Sequence, residues 1–249
     1  MSLCKDCIRG VQWEGTPTGK MEKINGVDCY VATPEGDYPT DKILLFLTDI
    51  FGVPLVNAQL LADDFAANGI KVVIPDYLNG DPVPPDGRNP GSDFDLPKWF
   101  ENHSPEQTRA PLDKAIAGLK EQGVTTFGAI GYCLGGRYVF DLAFDNVIKA
   151  AAVAHPSLLQ MPADAEKYAT TSVPLLVESC ENDVMFPQEK QTAMDAILGE
   201  GKFAPGYKRE YWEGCTHGFA VRGDQSNPKV KAGKEGAFKD TVEWMQKHL

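Results

Sequence analysis

The sequence predicts a doubly wound α/β domain in which helices cover both faces of one mostly parallel sheet. Strand-like and helix-like segments alternate along the chain, which is typical of parallel strands joined by crossover helices. The segment Ile43–Thr48 is a continuous apolar run, as expected for a central strand buried on both faces. Because no repeat or linker interrupts the alternation, we expect residues 1–249 to form a single domain.

The individual elements follow from periodicity and from turn residues. Strand signals occur in Asp28–Thr33, Ile43–Thr48, Lys71–Pro75, Val124–Tyr132, Ile148–Ala154, Val173–Ser179 and Gly206–Trp212. Helical spacing predicts helices over Leu55–Asn68, Pro111 to Gly123, Leu134–Phe144, Pro187 to Leu198 and Lys231–His248. Pro111 is placed at the first helical position, and Gly69 and Gly123 act as helix stops. The stretch from Asn79 to Pro105 is rich in Pro, Gly and Asp, so we expect a long loop with short helical pieces, and such loops tend to be functional.

Composition excludes several classes of protein. A formal net charge of −11 argues against nucleic acid as a partner, because phosphate binding needs clustered Lys and Arg. The longest apolar runs have strand length, so no membrane span is expected. The first residues lack the basic and apolar regions of a signal peptide, which favours a cytoplasmic location. Oligomeric state, monomer or homodimer, is not determined by these features.

Six cysteines in such a chain are expected to be free thiols and not a disulfide framework. Cys4 and Cys7 form a CxxC pair, but no second CxxC follows. Zinc binding at this pair and an ordinary N-terminal segment are both compatible with the spacing. We expect no metal and no cofactor in the reaction.

The strongest local motif is Gly131-Tyr132-Cys133-Leu134-Gly135-Gly136, between a predicted strand and a predicted helix. It matches the nucleophile elbow of α/β-hydrolases, with Cys in place of the usual Ser. Gly131 and Gly135 flank a strained turn where a Cβ would collide. The thiol of Cys133 would lie at a helix N-terminus, which favours thiolate. The alternative is a buried structural cysteine beside a glycine-rich turn.

A nucleophile of this kind requires a base and an acid, in the order nucleophile, acid, histidine. His217 follows the last predicted strand, where this fold places its histidine, although a surface histidine is the simpler alternative. Asp183 follows the strand Val173–Ser179, at the end where active-site loops gather. Glu181 is its nearest rival, and Asp183 could also act only as a helix cap.

The end of strand Ile43–Thr48 is the expected second half of the site. Asp49-Ile50-Phe51-Gly52 occupies the position that donates an oxyanion-hole N–H in this fold. The N–H groups of Ile50 and Leu134 are therefore the candidate oxyanion donors. The Asp49 carboxylate is a candidate to hold or deprotonate the thiol of Cys133.

Together these motifs resemble the dienelactone hydrolase family of the α/β-hydrolase superfamily, from about Ile24 to the C-terminal helix. The sequence GYCLGG is similar to the cysteine elbow of that family, and Asp183 and His217 match its acid and histidine. The opening segment, with Cys4, Cys7 and Glu14-Gly15-Thr16-Pro17-Thr18-Gly19, resembles the fungal-type branch.

The resemblance implies a Cys-His-Asp triad that hydrolyses enol lactones through a thioester, without metal or cofactor. Bacterial members carry a glutamate where Asp49 stands, and it pairs with the cysteine until substrate displaces it. They also bind the substrate carboxylate with two arginines, of which Arg222 matches one. By position, Phe51 and His155 are further candidates for substrate contact.

We therefore predict a hydrolase whose partner is a small lactone or activated ester, attacked by Cys133 with His217 as base and acid. An acyltransferase or thioesterase with the same triad is a second hypothesis. A third, from a different class, is a catalytically silent binding or redox-sensing module that uses the thiol of Cys133.

Overall fold

The computed structural model describes residues 11, 14–89 and 91–249. Cys4 and Cys7, considered above as a zinc pair, lie outside these residues. The described strands are β1 Lys20–Ile24, β2 Val27–Ala32, β3 Lys42–Leu47, β4 Val72–Pro75, β5 Thr126–Tyr132, β6 Ala150–Ala154, β7 Leu175–Asn182 and β8 Tyr207–Thr216. The described helices are α1 Val56–Ala67, α2 Leu96–Glu101, α3 Pro105–Glu121, α4 Leu134–Phe144, α5 Ala163–Tyr168, α6 Gln188–Leu198, α7 Phe219–Arg222 and α8 Pro228–His248.

The described strands form one sheet in the order β1-β2-β4-β3-β5-β6-β7-β8. The pairs β1–β2 and β2–β4 are antiparallel, and the remaining pairs are parallel. This architecture confirms the predicted α/β-hydrolase fold. Because strands β3 to β8 run in one direction, their carboxyl ends meet at the same edge of the sheet.

Apolar clusters cover the two faces of this sheet. Side chains of β3 alternate between them: Ile43, Leu45 and Leu47 join one cluster, whereas Leu44 and Phe46 join the other. Helices α3, α4, α5 and α6 pack on the first face, and α1 and α8 on the second. The continuous apolar run predicted as a central strand is therefore buried on both sides.

Helix α3 corrects the prediction that a helix opens at Pro111. The helix begins at Pro105, where Ser104 and Gln107 form a reciprocal capping box. Pro111 lies inside the helix and has no N–H to donate to the carbonyl of Gln107. That carbonyl instead accepts a hydrogen bond from Asn79 Nδ2 at 3.3 Å. The helix therefore tolerates Pro111 in its interior, and its start is set by the capping box.

Two further differences concern a strand at the edge of the sheet and the first residue of a helix. Strand β1 was not predicted, because four of its five residues are exposed and it contains no apolar run. Helix α8 begins at Pro228 and not near Lys231, with Asn227 Oδ1 accepting from Lys229 N as the N-cap. Neither difference changes the edge of the sheet at which the site lies.

Candidate active site

Cys133 lies in a strained turn between β5 and α4. Its backbone has φ 50° and ψ −112°, a conformation that non-glycine residues rarely adopt. A Cβ on Gly131 would collide with the carbonyl of Gly135, and a Cβ on Gly135 would collide with the carbonyl of Leu47. The two glycines therefore allow the elbow to pack against β3, with Cys133 only 8% exposed at the start of α4.

The acid and the histidine come from two neighbouring strands. Asp183 follows β7 and His217 follows β8, and Asp183 Oδ1 lies 2.9 Å from His217 Nδ1. The same oxygen accepts from the backbone N–H groups of Met185 at 2.8 Å and Phe186 at 3.0 Å. These bonds fix the carboxylate, so that Nδ1 of the imidazole faces Asp183 and Nε2 is left for another partner.

The thiol of Cys133 also interacts with this imidazole, and the interaction affects protonation of the ring. Burial alone would lower the pKa of His217, but hydrogen bonds with Asp183 and Cys133 and their charges raise the pKa to about 10. The imidazole therefore keeps a second proton at neutral pH. A positively charged ring beside a sulfur favours the thiolate form of that sulfur.

Asp49, Arg222 and Phe51 form a compact group beside the elbow. Arg222 Nε donates to Asp49 Oδ2 at 2.8 Å, and Phe51 N donates to Asp49 Oδ1 at 3.0 Å. The Arg222 guanidinium carbon lies 4.6 Å from the centre of the Phe51 ring. The structure thus pairs the carboxylate expected at the thiol with the cation expected at the substrate. A substrate anion would meet a guanidinium whose charge is already balanced.

The expected oxyanion donors follow the ends of β3 and β5. Gly135 N donates to Thr48 O at 3.1 Å and ties the elbow to the end of β3. Leu134 N–H belongs to the first residue of α4 and has no helical carbonyl to bond. Within the described part of the chain, neither this N–H nor that of Ile50 donates a hydrogen bond. Both residues are buried, and their role as oxyanion donors stays a prediction.

His155 lies behind His217 and not on an open pocket wall. It is fully buried, and its ring centre lies 5.0 Å from that of His217 in an edge-to-face arrangement. Burial first, and then the charges of His217 and Arg222, lower its pKa well below the usual value. The ring is therefore neutral and packs against His217, and its contact with substrate stays a prediction.

Ser157 is a site residue that the sequence reasoning missed. Its Oγ lies 3.7 Å from Cys133 Sγ, and its N–H donates to Cys133 O at 2.9 Å. It follows β6 by three residues, so the rule that active-site loops gather at the carboxyl ends of parallel strands would have included it. No motif in the sequence distinguished it from other loop serines.

Two negative observations concern the described residues alone. Among them, no group of three or more His, Cys, Asp or Glu side chains could hold a metal ion. Within the same residues, no helix combines the length and the apolar character that crossing a bilayer requires.

A cysteine elbow on a parallel sheet, with an acid–histidine pair from the following strands, defines the class of this protein as an α/β-hydrolase. Comparison with known proteins specifies it further. The family model described as "Dienelactone hydrolase family" matches residues 27–249, and the chain belongs to this family. It is thereby a carboxylic ester hydrolase, as predicted.

Named relatives agree with this assignment. Hydrolase pyvD of Aspergillus violaceofuscus is 34% identical over 98% of this chain and 96% of its own length. Dienlactone hydrolase 1 of Gibberella moniliformis is 32% identical over 98% of this chain and 92% of its own. The crystal structure of a dienelactone hydrolase-like promiscuous phosphotriesterase, P91, from metagenomic libraries has a TM-score of 0.66 at 18% identity. The match covers 94% of this chain and 99% of the P91 chain. At this identity the similarity supports the fold alone.

Proposed function

We propose that Cys133, His217 and Asp183 form a catalytic triad that hydrolyses a small lactone or activated carboxylic ester through a thioester acyl-enzyme. The observation that carries the proposal is the chain of contacts from Asp183 Oδ1 to His217 Nδ1 at 2.9 Å, and from the same ring to the thiol of Cys133. These contacts support the proposal, because acyl transfer requires a nucleophile, a base and an orienting acid in contact with one another.

The first half-reaction forms the thioester. The Cys133 thiolate attacks the carbonyl carbon, and the electron pair of the C=O bond moves to oxygen. The N–H groups of Ile50 and Leu134 stabilise this oxyanion. When the carbonyl reforms, the C–O bond to the leaving group breaks, and the His217 imidazolium donates a proton to the departing oxygen.

The second half-reaction restores the enzyme. Neutral His217 takes a proton from water, and the resulting hydroxide attacks the thioester carbonyl. The C–S bond then breaks, releasing the carboxylic acid and the Cys133 thiolate, while His217 retains the proton. Asp183 holds the ring in one tautomer throughout, because its carboxylate accepts from Nδ1 in both protonation states.

The chemistry of sulfur favours activated substrates. A thiolate is a better leaving group than an amine, so the intermediate formed from an amide would return to reactants. An enol, phenol or strained lactone oxygen departs readily, and the intermediate proceeds to the thioester. The proposed substrate is therefore a lactone or activated ester, and the site is not expected to cleave peptides.

The test uses a panel of lactones and small aryl esters with wild type, Cys133→Ala and a matched control, Cys29→Ala. Cys29 is a second buried free cysteine, in β2, so its variant removes a thiol from outside the elbow. We expect Cys133→Ala to lose turnover of every ester that wild type cleaves, while Cys29→Ala retains it. Mass spectrometry of quenched reactions should find the acyl group on the peptide that contains Cys133.

Two results would count against the proposal. Full activity in Cys133→Ala would show that Cys133 is not the nucleophile. A thiol that reacts with peroxide while wild type cleaves no ester would favour the redox-sensing module. Adding alcohols or thiols to the assay separates a hydrolase from an acyltransferase, because a transferase forms the new ester faster than the free acid.

A further inference from the structure

Ser157 contacts the reacting sulfur but has no role in the mechanism above. It lies in the connection between β6 and α5 and is 3% exposed. Its backbone N–H holds the Cys133 carbonyl at 2.9 Å, and its hydroxyl lies 3.7 Å from the sulfur. The residue is thus attached to the nucleophile by both its main chain and its side chain.

We infer that Ser157 is a positioning residue whose hydroxyl donates a hydrogen bond to the Cys133 thiolate. This inference rests on the proposed function, because it assigns a role within the same site. In the thiol form, the Cys133 S–H can donate to Ser157 Oγ. Once His217 holds the proton, the sulfur can only accept, and the serine hydroxyl rotates to become the donor.

Burial increases the stabilising effect of such a donor on the thiolate. The thiol and the serine are both almost inaccessible to water, and an ion in such a place loses its hydration. A hydrogen bond to the charged form offsets part of that loss and lowers the pKa of the group that carries the charge. The hydroxyl also restricts rotation of the Cys133 side chain, so that the sulfur is held in one orientation.

The charged groups near Cys133 do not replace a neutral hydrogen-bond donor to the thiolate. The titratable groups that interact with the sulfur are His217 and Tyr77. His155 packs against His217, and Asp49 is paired with Arg222. Burial raises the pKa of Tyr77 well above its usual value, and its hydroxyl donates to Thr48 O at 2.5 Å. His155 is neutral and the ion pair carries no net charge. His217 thus supplies the balancing positive charge, and Ser157 supplies a second hydrogen bond.

The experiment measures ionisation of the thiol directly. Rates of alkylation by iodoacetamide are followed from pH 4 to 9 in wild type, Ser157→Ala and Ser157→Thr, with Cys133→Ala as the blank for other thiols. The alanine keeps the backbone N–H that binds the Cys133 carbonyl. We expect the midpoint of alkylation to rise by about one pH unit in Ser157→Ala, and to stay near the wild-type value in Ser157→Thr.

A matched control removes a buried serine hydroxyl elsewhere. Ser179 Oγ donates to Glu210 O and accepts from Arg209 Nη1, and Ser179→Ala should leave the alkylation midpoint unchanged. Thermal unfolding of each variant verifies that it is folded. An unchanged midpoint in folded Ser157→Ala would overturn the inference. An equal rise in Ser157→Thr would do the same, because the hydroxyl is still present there.

The readout is independent of ester turnover. If Cys133→Ala retained esterase activity while Ser157→Ala shifted the alkylation midpoint, the proposed function would fail and the role of Ser157 would stand. If Cys133→Ala were inactive and the midpoint did not move, the reverse would hold. With both confirmed, the acidic limb of kcat/KM should shift in Ser157→Ala by as much as the alkylation midpoint.

Discussion

At the scale of single residues, Asp183 is the most constrained group of the site. One of its oxygens accepts from His217 Nδ1 and from two backbone N–H groups, and its side chain is 1% exposed. Its rival Glu181 is exposed and accepts from Gly214 N at 2.7 Å. The two acids lie two residues apart, yet only Asp183 turns toward the imidazole. Glu181 still belongs to β7, whereas Asp183 follows the end of the strand and the register shift between Cys180 and Asn182.

The pH dependence of Asp183→Asn should reveal this contact. The pKa of His217 is raised to about 10 in part by Asp183, and in the proposed mechanism the imidazolium donates a proton to the leaving group. The activity of wild type should therefore decline as pH rises through that value. In Asp183→Asn, where a neutral amide replaces the carboxylate, the decline should begin at lower pH. We also expect kcat/KM to fall by about 10² to 10⁴.

The measurement is kcat/KM for an aryl ester from pH 5 to 10.5, with spontaneous hydrolysis subtracted. Glu181→Gln is the control, because it removes a charge two residues away, at the end of β7, from a side chain that bonds Gly214 N. A basic limb at the same pH in Asp183→Asn and wild type would show that the carboxylate does not set the protonation of His217.

At the scale of elements, the elbow depends on close packing between α4 and β3. In Gly135→Ala the new methyl group would meet the Leu47 backbone, which cannot move without distorting the central strand. We expect a loss of more than about 3 kcal/mol in the free energy of unfolding. Gly69→Ala is the comparison, because φ is +83° there but nothing lies within 4 Å of the added Cβ. Backbone strain alone should cost about 1 kcal/mol.

Urea unfolding of both variants, with reductant present, checks this difference. Equal destabilisation of the two would mean that the elbow relaxes around the added methyl group, and that close packing against β3 is not what requires glycine at 135. Loss of activity in Gly135→Ala without loss of stability would likewise contradict the packing explanation.

The same scale explains which elements the sequence could predict. Helix α4 begins and ends at the predicted residues, because its glycine-rich turn and its apolar spacing are both local signals. Helix α3 begins earlier than predicted because Ser104 and Gln107 cap it, and it continues through Pro111, with the freed carbonyl accepting from Asn79, a residue distant in sequence. Strand β1 has no local signal and is defined by pairing with β2.

The site follows the same rule. Cys133, Asp183 and His217 could be proposed from motifs and chain order, because each follows a recognisable strand. The pairing of Asp49 with Arg222 spans 173 residues, and no spacing in the sequence indicates it. The contact between Ser157 and the thiol likewise exists only because β5 and β6 are neighbours in the sheet.

At the scale of the whole molecule, one carboxyl group in β7 links stability to pH. Glu178 is fully buried; Trp212 Nε1 donates to its Oε2 at 2.6 Å, while its Oε1 has no partner among the described residues. Burial raises the pKa of Glu178 to about 8, although the bond from Trp212 opposes the shift. Folded protein therefore keeps this proton at neutral pH, whereas the unfolded chain releases it near the ordinary value for glutamate.

The direction of the effect follows from proton counts. Between about pH 4.5 and 8 the folded state binds one more proton at Glu178 than the unfolded state. This group therefore makes the free energy of unfolding fall as pH rises.

A glutamine at position 178 stays neutral at every pH, so it removes that dependence, and its amide oxygen can still accept from Trp212. We expect Glu178→Gln to match wild type near pH 5 and to be more stable by roughly 2 to 4 kcal/mol at pH 8. Urea unfolding at pH 5, 6.5 and 8 measures this, with exposed Glu121→Gln as the control. A difference between Glu178→Gln and wild type that stays constant across these pH values would mean that the buried carboxyl does not carry a proton in the folded state.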